Sequence, residues 1–177
     1  MNASEFFIDT PLCKIMGHHG SDKGGVPLRD SYHNYTPLYY RLFQDLQDKH
    51  IRLFEMGIGT NYTDTPSNMG ANGKPGASLR GWEEFFPNAQ IFGADIDKRI
   101  LFQSGRIQTA YCDQLNPVDI KKMFSDFGGQ FNIIIDDGLH EFSANVCLFE
   151  NSLSRLMNGG FYIIEDILDK YMPDFEK

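Results

Sequence analysis

Two apolar runs, Phe131 to Ile135 and Phe161 to Ile164, both end in carboxylates. Asp136-Asp137-Gly138-Leu139-His140 follows the first and Glu165-Asp166 the second, with a helix-length segment between them. A β-branched run, a helix and another such run make a right-handed βαβ unit. Neighbouring strands lie about 5 Å apart, so up to four carboxylates and one imidazole gather at the sheet's carboxyl edge, where open α/β folds bind ligands. Like charges at that density need a cation, a shared proton or abundant water. The pattern asks for a metal ion.

The rest of the chain keeps the alternation. Residues 1–35 read as an ordered arm or loop, rich in Gly and His around Gly17-His18-His19-Gly20. Thr36-Pro37 opens a helix whose Leu38, Tyr39, Leu42, Phe43 and Leu46 recur at helical spacing. Ile51 to Met56 is a buried strand stopped by Gly57-Ile58-Gly59, and the polar stretch 60–76 is long enough to be a functional loop or lid. A short helix from Ser78, strands at 90–94 and 106–111, and a helix from Asn116-Pro117 to Gly128-Gly129 follow. A helix over about 141–157 is expected to bury Phe142, Val146, Phe149, Leu153 and Leu156, and Asn158-Gly159-Gly160 to turn the chain into the last strand. Strand and helix in alternation predict an α/β, doubly wound, mostly parallel sheet over 36–177.

At 177 residues and 41% hydrophobic, the chain suffices for the core of one domain. A net charge of −8 argues against a nucleic-acid or anionic-membrane partner. Cys13, Cys112 and Cys147 have no metal-like spacing and read as reduced, buried thiols. With no signal-like or membrane-length apolar run, a cytoplasmic protein is the expectation.

The other strand ends also carry chemistry. In Glu55-Met56-Gly57-Ile58-Gly59, the glycines let a ligand approach the backbone and the glutamate can accept from an ammonium group. Tyr62 occupies the place of the third glycine of a dinucleotide fingerprint. Asp95 is placed to take two ribose hydroxyls; Asp97 is the alternative, and either could simply cap the next turn. Asp113 and Gln114 can pair with an adenine edge, or form an Asx-type turn. Together these strand ends outline an adenosine-shaped site.

In this order the motifs resemble those of class I S-adenosylmethionine-dependent methyltransferases. More narrowly, the chain is similar to the metal-dependent sugar O-methyltransferases of the mycinamicin and macrocin group. The likeness includes Gly20-Ser21-Asp22-Lys23-Gly24, His33-Asn34-Tyr35-Thr36, Gly76 to Trp82 and Phe86-Pro87. It implies S-adenosylmethionine and Mg²⁺ as cofactors and a sugar-containing small molecule as acceptor. Asp137, Glu165 and Asp166 would be metal ligands and His140 the general base. Glu55, Gly57, Asp95 and Asp113 would hold the cofactor with Ser78 close by, and Gly59, Gln114 and Asp136 complete that set.

The chain departs from the class after its fifth strand, where members usually add an antiparallel pair. Only 167–177 remain, and Pro173 disfavours another strand. An unpaired strand edge leaves homo-oligomer formation open. A nicotinamide-dependent oxidoreductase and a non-catalytic nucleoside-binding remnant are the competing readings.

Overall fold

The computed structural model describes residues 10–24 and 34–176. Six strands, β1 (Arg52–Met56), β2 (Gln90–Asp95), β3 (Gln103–Ser104), β4 (Ile107–Tyr111), β5 (Phe131–Asp136) and β6 (Leu156–Ile164), form one sheet in the order β3-β4-β2-β1-β5-β6. Every pairing is parallel except the short β3–β4 ladder. Met56 lies opposite both Ala94 and Asp136, and Asp136 lies opposite Ile164, so the carboxyl ends of β2, β1, β5 and β6 finish level. The fold is the Rossmann-like one expected.

Side-chain alternation builds two cores, one per face. Leu53, Ile133 and Ile135 point to the side covered by α1 (Pro11–His19), α2 (Thr36–Phe43) and α3 (Ala77–Phe85), where Tyr39, Phe43, Trp82, Phe85 and Phe86 are fully buried. Phe54, Phe92 and Ile134 point the other way, against Ile120 and Phe124 of α4 (Pro117–Phe127) and Leu148 of α5 (Phe142–Ser152). A four-residue helix, α6 (Met172–Phe175), sets Phe175 edge-on against Phe142 of α5.

Three expectations change. The stretch read as an arm or loop contains α1, capped by the Thr10 side chain at the Cys13 N–H and closed by Gly20 in the left-handed region (φ 83°). Its Leu12 and Met16, four residues apart, are fully buried in the core. Residues 1–9 and 25–33 of the expected arm, His33 included, lie outside the described residues.

Second, α5 stops at Ser152 and turns a different face inward: Ala144, Asn145, Leu148 and Ser152 are buried, whereas Phe149 and Leu153 are exposed. Small residues let the helix approach the sheet closely, and that brings the Asn145 amide to Asp136. Third, Asn158-Gly159-Gly160 is no turn but part of β6. The β5–β6 register shifts between Phe131 and Ile133, and a bulge absorbs the extra residues. Gly160 is required there, because a Cβ would lie 2.7 Å from the Asn132 carbonyl oxygen.

Cys13 and Cys112 are buried free thiols and Cys147 is half-buried. Among the described residues, no helix is long and apolar enough to cross a membrane.

Candidate active site

Over the carboxyl ends of the strands lies a cavity of about 720 Å³. Gly57, Gly59, Asp95, Asp113, Gln114, Asp137, His140 and Asp166 all line it. Glu55, Ser78, Asp136 and Glu165 do not; Glu55 and Ser78 border a small adjoining hollow instead.

Strand alternation explains the division. Asp136 shares the face of Ile134, is fully buried, and accepts from Gln114 Nε2 at 2.7 Å and Asn145 Nδ2 at 2.9 Å. Burial raises its pKa, and those donors oppose the shift. It holds the end of β5 in place rather than meeting a ligand in the cavity. Gln114 spends its amide in the same place, its oxygen accepting from the Leu139 N–H at 2.9 Å. Glu55 shares the face of Leu53 and accepts from Ser78 Oγ and Trp82 Nε1, both at 2.6 Å.

The β1 turn makes the cavity floor. Gly57 and Gly59 have φ of 83° and 78°, and a Cβ on Gly57 would sit 2.0 Å from the Asp137 carbonyl oxygen. Only glycine meets both demands. Asp95 accepts from the Ile58 and Asp97 N–H groups at 3.0 and 2.9 Å, contacts that counter the upward push of burial on its carboxyl. Asp97 is engaged elsewhere, by Thr60 Oγ1 at 2.6 Å and Arg99 Nε at 2.7 Å. The Arg99 contact, followed by that of Thr60, holds it well below the usual carboxylate range. Asp113 forms the Asx-type contact, accepting from the Leu115 N–H at 2.9 Å.

The 60–76 stretch covers one wall through Ser67, Asn68, Met69 and Asn72. Arg99 fastens it, pairing with Asp64 at 2.7 Å and lying 3.8 Å over the Tyr62 ring. Ser67 Oγ donates to the Leu139 carbonyl at 3.1 Å, tying this loop to the segment that carries His140.

At the opposite end, Asp137, His140 and Asp166 each offer one ligand atom within 4.8 Å of the others. His140 Nε2 is 4.0 Å from both Asp137 Oδ1 and Asp166 Oδ2, and its Nδ1 is buried with no hydrogen-bond partner among the described residues. Glu165 is not in this trio. Its carboxylate accepts from Tyr39 Oη and, at 2.6 Å, from Lys23 Nζ, which also donates to Asp137 Oδ2 at 2.5 Å. Asp166 accepts from Tyr35 Oη. Burial pushes Glu165 well above the ordinary carboxylate range, with Lys23 opposing. Burial alone would lower the Lys23 ammonium, but Asp137, Glu165 and Glu55 hold it well above its usual value.

Among the described residues, Ser67, His140 and Asp166 are the non-glycine residues with positive φ (51°, 58° and 52°), and all three line the cavity. That backbone region costs roughly 1–3 kcal/mol per residue. Strain is concentrated among residues that line the cavity.

Lys23, Tyr35, Tyr39 and Arg99 were given no role from sequence. The signal for Lys23 was the acidic cluster itself, which demands positive charge; its position in an aperiodic glycine-flanked loop concealed that it supplies some of it.

The sheet order, the glycine turn after β1 and the acidic strand ends define a Rossmann-like methyltransferase fold. No family model matches the chain. It is 32% identical over 169 residues to 8-demethyl-8-alpha-L-rhamnosyl tetracenomycin-C 2'-O-methyltransferase of Streptomyces olivaceus, covering 95% of this chain and 41% of that protein. It is 34% identical over 143 residues to mycinamicin VI 2''-O-methyltransferase of Micromonospora griseorubida, covering 81% and 34%. A solved structure of MycE methyltransferase from the mycinamycin biosynthetic pathway, in complex with Mg, SAH and mycinamycin VI, superposes with a TM-score of 0.74. It has 30% identity, over 94% of this chain and 42% of that one. By sequence and fold the chain fits the mycinamicin/macrocin O-methyltransferase-like group. It spans between about a third and two fifths of the length of these relatives.

Proposed function

We propose that the chain carries out S-adenosylmethionine-dependent, Mg²⁺-assisted transfer of a methyl group to a hydroxyl of a sugar or glycosylated small molecule. The observation that carries this reading is the convergence of Asp137, His140 and Asp166 at one end of a cavity whose floor is Gly57 and Gly59. The relatives' names and the Mg and SAH in the MycE complex support it.

The residues present fit both groups. The carboxylates of Asp137 and Asp166 suit a hard cation that keeps positions open for water and acceptor, and the His140 imidazole beside them stays available as a base. The left-handed glycines give the backbone-lined floor that close approach of a cofactor requires. When bound, the cation makes an acceptor hydroxyl more acidic and the cofactor supplies an electrophilic methyl group.

The chain's own groups supply the remainder. Asp137 and Asp166 would hold the cation, with Glu165 behind them, and Asp95 and Asp113 would position the nucleoside. His140 Nε2 would accept the proton of the acceptor hydroxyl, leaving the oxygen free to receive the methyl group that the cofactor would supply. Holding oxygen and methyl carbon in line is the remaining contribution. Ser67 and its loop form one wall of that site.

Calorimetric titration with S-adenosylmethionine, with and without Mg²⁺, and a methyl-transfer assay on glycosylated acceptors test the reading. EDTA is expected to abolish transfer and added Mg²⁺ to restore it. Full activity in chelator would remove the cation from the mechanism, and absence of cofactor binding would remove the whole assignment.

A further inference from the structure

Glu55, Asp137 and Glu165 occupy odd positions on β1, β5 and β6 or one step beyond them, so all three point to the face covered by α1 to α3. What meets them there is the ammonium of Lys23. Its Nζ lies 2.5 Å from Asp137 Oδ2, 2.6 Å from Glu165 Oε2 and 3.7 Å from Glu55 Oε1, and the residue is 2% exposed. We propose that Lys23 is the resident counter-cation of this acidic cluster: it holds Asp137 and Glu165 in position when no divalent ion is bound, and it competes with that ion for their charge. The inference rests on the divalent-cation reading given above and adds a positioning residue to it.

The backbone is built to deliver this side chain. Gly20 closes α1 in the left-handed region, with Gly20 N–H and Ser21 N–H bonded to the Gly17 and Met16 carbonyls. The chain then turns across the top of the sheet, where the Lys23 carbonyl accepts from the Thr36 N–H at 3.3 Å. Gly24 sits where a Cβ would lie 2.8 Å from the Gly17 nitrogen. Lys23 is thus held between two glycines that permit a close turn.

Charge explains why this matters. One ammonium meets three carboxylates, and Asp166 adds a fourth at the same edge of the sheet, so Lys23 balances only part of the negative charge gathered there. Asp137 is the common element: its Oδ2 faces Lys23 and its Oδ1 belongs to the trio with His140 and Asp166. An ion held by Asp137 and Asp166 would share Asp137 with a fixed ammonium and be repelled by it. A buried acidic cluster stripped of all cations is strongly destabilised. Lys23 therefore keeps the site folded and ordered before loading, and lowers the affinity of loading.

The test uses the 177-residue chain stripped with EDTA, titrated calorimetrically with MgCl₂ and MnCl₂ as wild type and as Lys23→Met, with thermal midpoints recorded with and without saturating Mg²⁺. Lys23→Met is expected to bind the ion about tenfold or more tightly than wild type, and its thermal midpoint to rise with Mg²⁺ by more than the wild type's. Unchanged or weaker binding by folded Lys23→Met overturns the proposal. If Lys23→Met does not fold in EDTA, refolding in Mg²⁺ supports it and failure to refold in either condition overturns it. Absence of binding by both proteins defeats the divalent-cation reading itself, a result distinct from failure of the Lys23 role.

Discussion

The two ends of the cavity hold carboxylates by different means. At β2, Asp95 takes backbone N–H groups, and Asp97 is held by a hydroxyl and by Arg99, whose side chain reaches solvent. Past β5 and β6, Asp137 and Glu165 are held by a buried ammonium and a tyrosine hydroxyl, with no backbone donor among these contacts. Backbone donors come with the fold and need no balancing charge. The acidic end depends on cations. The β2 end is thus set mainly by chain geometry, whereas the acidic end is set by charge, and substitutions at the two should fail differently.

The largest effect expected is on turnover at the acidic end. His140→Ala should lower methyl transfer by about 10² to 10⁴-fold while cofactor affinity, read by calorimetry, stays near wild type. If affinity collapses instead, His140 belongs to the cofactor end and the contrast is lost.

Next comes Gly57→Ala, which joins the two ends. Its Cβ would strike the Asp137 carbonyl and its φ disfavours any side chain, so a loss of stability well above about 1 kcal/mol is expected in denaturant titration. A neutral result would mean that the β5 loop is free to move, contrary to the packing described.

The smallest effect concerns the Arg99 clasp. Arg99→Ala should speed hydrogen exchange over 60–76 and weaken cofactor binding only several-fold, about the scale of a surface ion-pair change. The pH response gives the sign. A carboxyl held below its ordinary value contributes stability that is present above its unfolded pKa and is lost only as pH falls through the lower folded value. The Arg99 contact lowers Asp97, so protection of 60–76, corrected for intrinsic exchange, should persist on acidification through about pH 4. Loss of protection before that point would show that Asp97 does not secure the loop.

Much of the fold was legible because its signals are local. β5 covers its apolar run and ends one residue later at Asp136, and α4 starts and stops at its Asn-Pro and Gly-Gly punctuation. Helix α5 departs from its apolar periodicity because its largest side chains do not choose its inward face. Its inward face is chosen by what fits against β5 and by the reach of Asn145 to Asp136, both tertiary facts. Asn158-Gly159-Gly160 looked like a turn because glycine marks turns and bulges alike.

For the site, period-two alternation already implied that Asp136 and Asp137 face opposite ways. What it could not reveal is which face carries Lys23 and Tyr39, since those arrive from loop and helix segments more than a hundred residues earlier. Nor could the missing third glycine at Tyr62 announce its use, which is to lie beneath the Arg99 guanidinium.

The left-handed backbones of Ser67, His140 and Asp166 set reactivity against heat resistance. Glycine at any of the three would relax the chain, so Ser67→Gly is expected to melt above wild type, as calorimetry can check. A lineage selected only for endurance at high temperature would drift toward glycine at these positions, gaining durability while its chemistry faded.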